Sequence, residues 1–246
     1  MLAAAYDESG KRVATADERQ ELRVHERAGD GWHCCVSWKV RSLRLAGARG
    51  ASARLRARLA CAAPSCLTRA AQAHDAKLRG VAWASPAFGE ILCSCADDGA
   101  KVWLILPAGE AKLLATLGGS RAAVCVAFAP QHLGLVLAVA GADGAVRLYE
   151  SADRTGSTWD EQVRSTPTAA GLAEPCVQAG FEAGSACTGL AWCLHGAARP
   201  PALAVGVAGA PARVWVFDAE QRRWIPACDL PGAPMAGLAW AQNDGA

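Results

Sequence analysis

The chain has 246 residues and carries 25 Lys and Arg against 23 Asp and Glu, which leaves a formal net charge of +2. A balance so close to neutrality argues against a dedicated nucleic-acid-binding protein, because such proteins show a strong basic excess. Hydrophobic residues make up 52% of the chain, enough for a sizeable core. No apolar run of about 18 residues is present, so we expect no membrane span, and Asp7 comes too early for a signal peptide.

A unit of short strands recurs along the chain at a period near 45 residues. Each copy begins with an apolar strand that ends in an aromatic residue. A second strand of small apolar residues, a tight turn and a strand ending in a basic, an apolar and an aromatic residue follow. Trp83 and Phe128 lie 45 residues apart, and Trp103 and Tyr149 lie 46 apart. Short strands at this period are typical of β-propeller blades.

The sequence therefore predicts an all-β protein that forms a partial, open propeller of about four blades plus one strand. A single β-sandwich with coincidental Trp placement is the alternative, and four aligned copies of the unit disfavour it. We place the four blades and the start of a fifth at residues 2–38, 79–117, 122–164, 187–230 and 235–241.

The connection between the first two units contains an Arg/Ala-rich insert, residues 40–72. These 33 residues hold seven Arg but no Lys and no acidic residue. One hypothesis is a basic, partly helical segment that contacts nucleic acid or an anionic membrane. We favour a disordered loop, or translated intron sequence, because the segment contains no acidic partners that could fix a fold.

The sequence contains none of the common catalytic, nucleotide-binding or metal-binding motifs. None of the 11 Cys forms a Cys-x-x-Cys pair, and no nucleotide-binding, serine-hydrolase or metalloprotease motif occurs. We therefore predict no catalytic residue, no cofactor and no metal ion. The competing hypothesis is an enzyme whose triad assembles only in space, and its nearest candidate is His132 beside Gln131.

Several phrases of the sequence resemble WD40 repeats, and in particular the WD-repeat nucleoporins of the Seh type. They are GWHCCVSWK at 31–39, ASPAFGEILCSC at 84–95, FAPQHLGLVL at 128–137, ADGAVRLYE at 142–150 and ALAVG at 202–206. The resemblance implies a six-bladed open propeller. It also implies a non-enzymatic scaffold subunit of the Y-shaped outer-ring complex of the nuclear pore, which supports nucleocytoplasmic transport.

The same resemblance implies a location at the nuclear envelope, and a second one at the vacuolar or lysosomal surface in a nutrient-signalling complex. The closest alternative is the propeller subunit of the COPII vesicle-coat cage, and a generic WD-repeat adaptor is the next. Two sequences favour the nucleoporin over the COPII subunit. They are Arg-Leu-Tyr-Glu at 147–150 and the Trp-His pair that follows Gly31.

The resemblance also suggests structural residues within the blades. In the second blade the family's hydrogen-bonding positions fall on His74, Ser94, Asp98 and Trp103, and in the third blade its tight turn falls on Asp143 and Gly144. The implied partners are α-solenoid nucleoporins, which add a further blade beside the first, and other outer-ring subunits. No direct contact with nucleic acid is expected. We predict that the added blade docks along the edge formed by Ala3, Ala4, Ala5 and Tyr6.

Overall fold

A computed structural model describes residues 3–17, 21–39, 74–107, 110–119, 121–161, 180–194, 199–232 and 238. Within these ranges the chain forms seventeen β-strands and two short 3-10 helices, Pro86–Phe88 and Gln131–Leu133. The strands form four antiparallel sheets, which we call blades 1 to 4. The prediction of an all-β fold with partial propeller architecture is confirmed.

Each blade is a meander in which neighbouring strands along the chain pair with one another. Blade 1 contains β1 (Ala3–Tyr6), β2 (Arg12–Ala16), β3 (Glu21–Ala28) and β4 (Gly31–Lys39). Blade 2 contains β5 (Leu78–Trp83), β6 (Ile91–Ala96), β7 (Gly99–Ile105) and β8 (Ala111–Leu117). Blade 3 contains β9 (Ala123–Phe128), β10 (Val136–Gly141), β11 (Ala145–Ser151), β12 (Trp159–Glu161) and β13 (Phe181–Glu182). Blade 4 contains β14 (Cys187–Trp192), β15 (Ala202–Val207), β16 (Arg213–Asp218) and β17 (Arg223–Asp229).

The four sheets span residues 3–39, 78–117, 123–182 and 187–229, and blade 3 differs from the other three. There the outermost strand is split, because β12 pairs with one end of β11 and β13 pairs with the other. The extra residues of this repeat, 162–179, therefore lie between β12 and β13, which both pair with β11 of blade 3, and not between two blades. The insert at 40–72 lies outside the described residues, and of the predicted start of a fifth blade only Leu238 is described.

The second strands of blades 2 and 3 are buried on both faces, which explains their composition. Every residue of β6 and of β10 is buried, and both strands read as continuous small or aliphatic runs without the alternation of a half-exposed strand. Both faces are covered because the blades stack. One apolar cluster joins blades 1 and 2, a second joins blades 2 and 3, and a third joins blades 3 and 4.

The first strands of all four blades face a common channel. Residues of β1, β5, β9 and β14 line a cavity of about 390 Å³ together with Leu238. A side chain added at Gly189 of β14 would meet Leu238 at 3.4 Å, so Leu238 lies at the channel wall. This arrangement around one axis is that of a propeller. The part of the chain that the structure describes contains no helix with the length and apolar character that a membrane crossing requires.

Candidate structural and partner-binding sites

The four hydrogen-bonding residues predicted in blade 2 meet in one chain of contacts. His74 precedes β5, Ser94 lies on β6, Asp98 lies in the β6–β7 turn and Trp103 lies on β7. The Nδ1 atom of His74 lies 2.6 Å from Oδ1 of Asp98, and its Nε2 atom lies 2.8 Å from Oγ of Ser94. The indole Nε1 of Trp103 donates to the same Ser94 oxygen at 2.9 Å. These hydrogen bonds therefore join β6, the β6–β7 turn and β7 to the segment that precedes β5.

One assignment of protons satisfies every member of this chain. Trp103 can only donate, so the Ser94 hydroxyl accepts from it and donates to Nε2 of His74, and Nδ1–H then donates to Asp98. This requires a neutral His74. Burial lowers the pKa of His74, although the Asp98 carboxylate opposes that shift. Burial by itself would raise the pKa of Asp98, but the backbone N–H of Asp75 and the His74 ring outweigh it, so the pKa is lowered.

The hydrogen bonds run from Asp98 to His74 and from His74 to Ser94, which is the order of contacts in a catalytic Asp-His-Ser triad. However, the Ser94 and His74 side chains are fully buried, and the Ser94 oxygen already accepts the indole hydrogen bond. A substrate carbonyl has no route to that hydroxyl in this conformation, and we therefore interpret the arrangement as structural. His132, the residue named for the enzyme hypothesis, is an exposed residue of the second 3-10 helix.

The turn predicted at Asp143 and Gly144 joins β10 to β11. Oδ1 of Asp143 accepts a hydrogen bond from the backbone N–H of Ala145 at 3.1 Å, and its carboxylate pairs with Arg147. The guanidinium of Arg147 holds the pKa of Asp143 below its usual value. Gly144 has a φ of +84°, and a Cβ there would lie 2.9 Å from the carbonyl oxygen of Ser185. The turn thus needs glycine both for its conformation and for its contact with the connection that leads into blade 4.

The predicted partner edge, β1, has two different sides. Ala3 and Ala5 are half-buried and pack against the cluster shared with blade 2. The carbonyl oxygen of Ala5 also accepts a hydrogen bond from the indole of Trp83 at 3.2 Å. Ala4 and Tyr6 are exposed on the opposite side of the strand, and the Tyr6 side chain is 64% exposed. Half of the predicted residues thus belong to the interior of the propeller.

The outward face of blade 1 carries an exposed aromatic pair. Tyr6 on β1 and Trp32 on β4 meet edge to face with their ring centroids 6.0 Å apart, and Trp32 is 44% exposed. Strand alternation puts Ala4, Tyr6, Val13 and Thr15 on this face, opposite the buried Ala14 and Ala16. The sequence contained both aromatics, but it gave no sign that residues 26 positions apart would be neighbours.

Cysteine chemistry has little support in the described residues. No grouping of three His, Cys, Asp or Glu that could hold a metal ion occurs among them. Cys93 and Cys95 lie together in the cluster between blades 2 and 3, and burial raises the pKa of both thiols. Burial likewise raises the pKa of Cys125 to about 11. These thiols stay protonated near neutral pH and serve as small apolar side chains.

Comparison with known proteins identifies relatives of this chain, although no protein-family model matches it. Nucleoporin SEH1 of Danio rerio is 29% identical over 215 residues, which is 82% of this chain and 46% of that protein. Nucleoporin SEH1-A of Xenopus laevis and nucleoporin SEH1 of Homo sapiens are each 33% identical over 161 residues, 61% of this chain and 36% of each relative. The chain spans less than half the length of these proteins. The resemblance to WD-repeat nucleoporins of the Seh type is confirmed.

Proposed function

We propose that this chain, a relative of the SEH1 nucleoporins, is a structural scaffold subunit of the nuclear pore complex and acts there without catalysis. The observation that carries the proposal is the similarity to nucleoporin SEH1 over 82% of the chain. The stacked blades support it, because a propeller is a rigid body that offers large binding faces and edges. The fold alone does not choose the partner, so the assignment rests on the relatives.

The finer assignment is to the outer ring of the pore, within the Y-shaped complex, as the resemblance in the sequence implies. The same resemblance supports a second role in a nutrient-signalling complex at the vacuole or lysosome. We propose the outer ring as the principal site of action and treat the second role as secondary.

The location of a tagged full-length chain in cells tests this proposal. We expect a continuous signal at the nuclear rim that overlaps with other pore proteins. A signal restricted to endoplasmic reticulum exit sites would contradict the proposal and would favour the COPII coat subunit. A diffuse signal under conditions in which the partners are present would favour a generic adaptor instead.

The proposed partner is an α-solenoid nucleoporin that contributes a blade beside blade 1. Two features support the outward face of blade 1 as the docking surface. Blades in this chain stack face to face through apolar clusters, so an added blade would stack in the same way. The outward face already presents Tyr6 and Trp32 as exposed aromatics, the residue type that is enriched at the centres of interfaces. We therefore propose that the partner contacts the face of β1 rather than its edge.

Substitution of Tyr6 tests the docking surface. We expect Tyr6→Ser to weaken co-purification with the solenoid partner about fivefold or more, because loss of a central aromatic anchor costs about 1–3 kcal/mol of binding energy. Leu113→Ser is the matched control, since Leu113 is 42% exposed on the outer strand of blade 2. Equal effects of both substitutions would contradict the assignment. Loss of binding in Ala4→Pro but not in Tyr6→Ser would show that the partner pairs with the edge of β1 instead, because proline removes a backbone donor from that edge.

A further inference from the structure

Two basic residues of blade 1 lie in one row with an aromatic residue of the proposed partner surface. Arg27 of β3 stands directly opposite Trp32 of β4. The backbone N–H of Arg27 donates to the carbonyl oxygen of Lys11 at 2.8 Å, which continues the β2–β3 register and sets Lys11 opposite Arg27. We call Lys11, Arg27 and Trp32 the basic row, and all three residues are exposed.

Strand alternation turns the basic row away from the interior. Val24 of β3 is fully buried in the cluster shared with blade 2, so Arg27, three positions later, points to the opposite side of the sheet. Arg12, which follows Lys11, points toward blade 2 and pairs there with Glu90, with Nη1 and Oε2 2.6 Å apart. Lys11 and Arg27 therefore share the outward face of blade 1 with the aromatic pair.

The charge of the basic row is uncompensated within the described residues. Neither Lys11 nor Arg27 forms an ion pair there, and Asp30 in the adjacent β3–β4 turn pairs with neither of them. Two like charges that stand directly opposite each other destabilise a sheet. Five other arginines of the strands are each held by a carboxylate instead. They are Arg12, Arg23, Arg79, Arg147 and Arg213.

The other described charges of this face are balanced or neutral. Arg23 pairs with Glu21, and the Ser37 hydroxyl donates to the same carboxylate at 2.8 Å. Burial lowers the pKa of His25, and the charges of Arg23 and His33 lower it further, so its ring is neutral near pH 7. The positive charge of the face is therefore concentrated in the basic row, beside the exposed aromatics.

We propose that Lys11 and Arg27 bind a carboxylate of the docked partner, whose contacting segment carries an Asp or Glu side chain flanked by apolar side chains that pack on Tyr6 and Trp32. This inference rests on the proposed docking at blade 1 and adds the chemistry that the partner presents there. A carboxylate between the two cations offsets their repulsion and accepts charge-assisted hydrogen bonds from both. A basic segment is repelled at the same place, so the row contributes to the choice of partner.

A short peptide serves as the probe for this site. In extended acetyl-Leu-Ser-Glu-Ser-Leu-amide, the Glu side chain and both Leu side chains lie on one face, as the site requires. The peptide with Gln in place of Glu is its neutral counterpart. The ¹⁵N-labelled full chain is titrated with each peptide, and the indole N–H signal of Trp32 is followed by NMR. This signal is identified by its loss in Trp32→Phe.

We expect the Glu peptide to shift the Trp32 signal in a saturable manner and to bind about threefold or more tightly than the Gln peptide. An increase from about 0.1 M to about 1 M salt shortens the screening length from about 10 Å to about 3 Å, and it should weaken the Glu peptide selectively. The absence of a saturable shift, or equal binding of the two peptides, would overturn the proposal.

Two variants show whether the basic row itself binds the carboxylate. Arg27→Gln should weaken the Glu peptide about threefold or more and leave the Gln peptide unchanged. Lys112→Gln is the matched control, because Lys112 is an exposed cation on the outer strand of blade 2, and it should change neither peptide. Equal losses in the two variants would indicate a general attraction to the basic residues of the chain and would overturn the assignment.

The repulsion within the row is measured in the free chain. Arg27→Lys keeps the charge and Arg27→Gln removes it, so the Gln variant should have the higher thermal unfolding midpoint, by about 1 °C or more. A lower midpoint in Arg27→Gln would show that the charge of Arg27 is already stabilised within the chain, which would overturn the proposal. None of these measurements uses the solenoid partner, so their failure rejects the carboxylate site alone. Unchanged co-purification of Tyr6→Ser would instead reject the docking surface and, with it, the role of the row in docking.

Discussion

His74 illustrates how a single residue can connect a blade to the segment that precedes it. Its two ring nitrogens contact residues that lie 20 and 24 positions further along the chain. Since both contacts are buried or half-buried, they are shielded from water and restrict the ring to one orientation. The same burial makes the protonated form of the ring unfavourable, so the neutral ring is part of the folded state.

This protonation state predicts a dependence of stability on pH. The pKa of His74 in the folded chain lies below the ordinary value of 6.5, so below about pH 6.5 the unfolded chain binds a proton that the folded chain does not. The contribution of His74 to the free energy of unfolding should therefore be complete above pH 6.5 and decline as the pH falls further. We expect the difference in stability between the wild type and His74→Gln, measured by urea unfolding, to shrink from pH 7.5 to pH 5.

The control for this prediction is His132→Gln, because His132 is exposed. It should keep the pH dependence of the wild type. His25, whose pKa is also lowered by burial, contributes equally to all three proteins, so only the difference between them is informative. A difference that widens toward acid pH would contradict the prediction and would indicate a charged His74 paired with Asp98.

At the scale of the element, tight turns fix how the blades stack. The β10–β11 turn of blade 3 approaches the connection to blade 4 so closely that the backbone N–H of Ala183 donates to the carbonyl of Gly144 at 2.8 Å. In blade 2, Gly99 has a φ of +117°, and a Cβ there would lie 2.5 Å from the carbonyl oxygen of Gly119. In both blades a glycine turn packs against the backbone that leads into the next blade.

Substitution of Gly144 measures this contact. Gly29→Ala is the matched control, because Gly29 has a φ of +58° and a Cβ there meets nothing within 4 Å. We expect Gly29→Ala to lower the free energy of unfolding by about 1–2 kcal/mol, from backbone conformation alone. Gly144→Ala should cost about 1–3 kcal/mol more, because the new methyl group overlaps with Ser185. Equal losses in the free energy of unfolding for Gly144→Ala and Gly29→Ala, measured with urea, would show that the contact between Gly144 and Ser185 does not stabilise the fold.

At the scale of the whole molecule, the connections between blades follow one pattern. Five residues, 118–122, separate the last strand of blade 2 from the first strand of blade 3, and four, 183–186, separate blade 3 from blade 4. Between blades 1 and 2 the connection runs from residue 40 to residue 77. Without residues 40–72 it would consist of residues 73–77, which is again five.

We therefore predict that deletion of residues 40–72 leaves the propeller intact. The shortened connection matches the neighbouring ones, and the cost of closing a loop changes only slowly with its length, by about 0.6 kcal/mol for each doubling. The thermal unfolding midpoint of the deleted chain should equal or exceed that of the full chain. Transcript sequencing across Lys39 and Ala73 is the companion measurement, and a spliced product without these codons would explain the segment. A fall in the midpoint on deletion would show that the segment packs against the blades.

The sequence by itself determined the repeat and the elements within it. The 45-residue period, the buried second strands and the aromatic at the end of each third strand depend on local patterns, so they could be read without coordinates. The residues of the hydrogen-bonded chain in blade 2 were named only through the resemblance to WD40 repeats, and not from the local pattern itself. The split outer strand of blade 3 was not predicted, since Phe181 pairs with Val146, which lies 35 positions earlier in the chain.

The tertiary structure alone decided which features became surfaces and cavities. Ala3 and Ala5 turned inward while Ala4 and Tyr6 turned outward, because the packing of blade 1 on blade 2 selects one face of a strand whose side chains alternate. Likewise, Trp103 and Trp215 pair with equivalent residues of their blades, but within the described residues only the Trp103 indole has a hydrogen-bond acceptor, which is Ser94. Whether a buried donor has a partner is a relation between separate strands that no local pattern records.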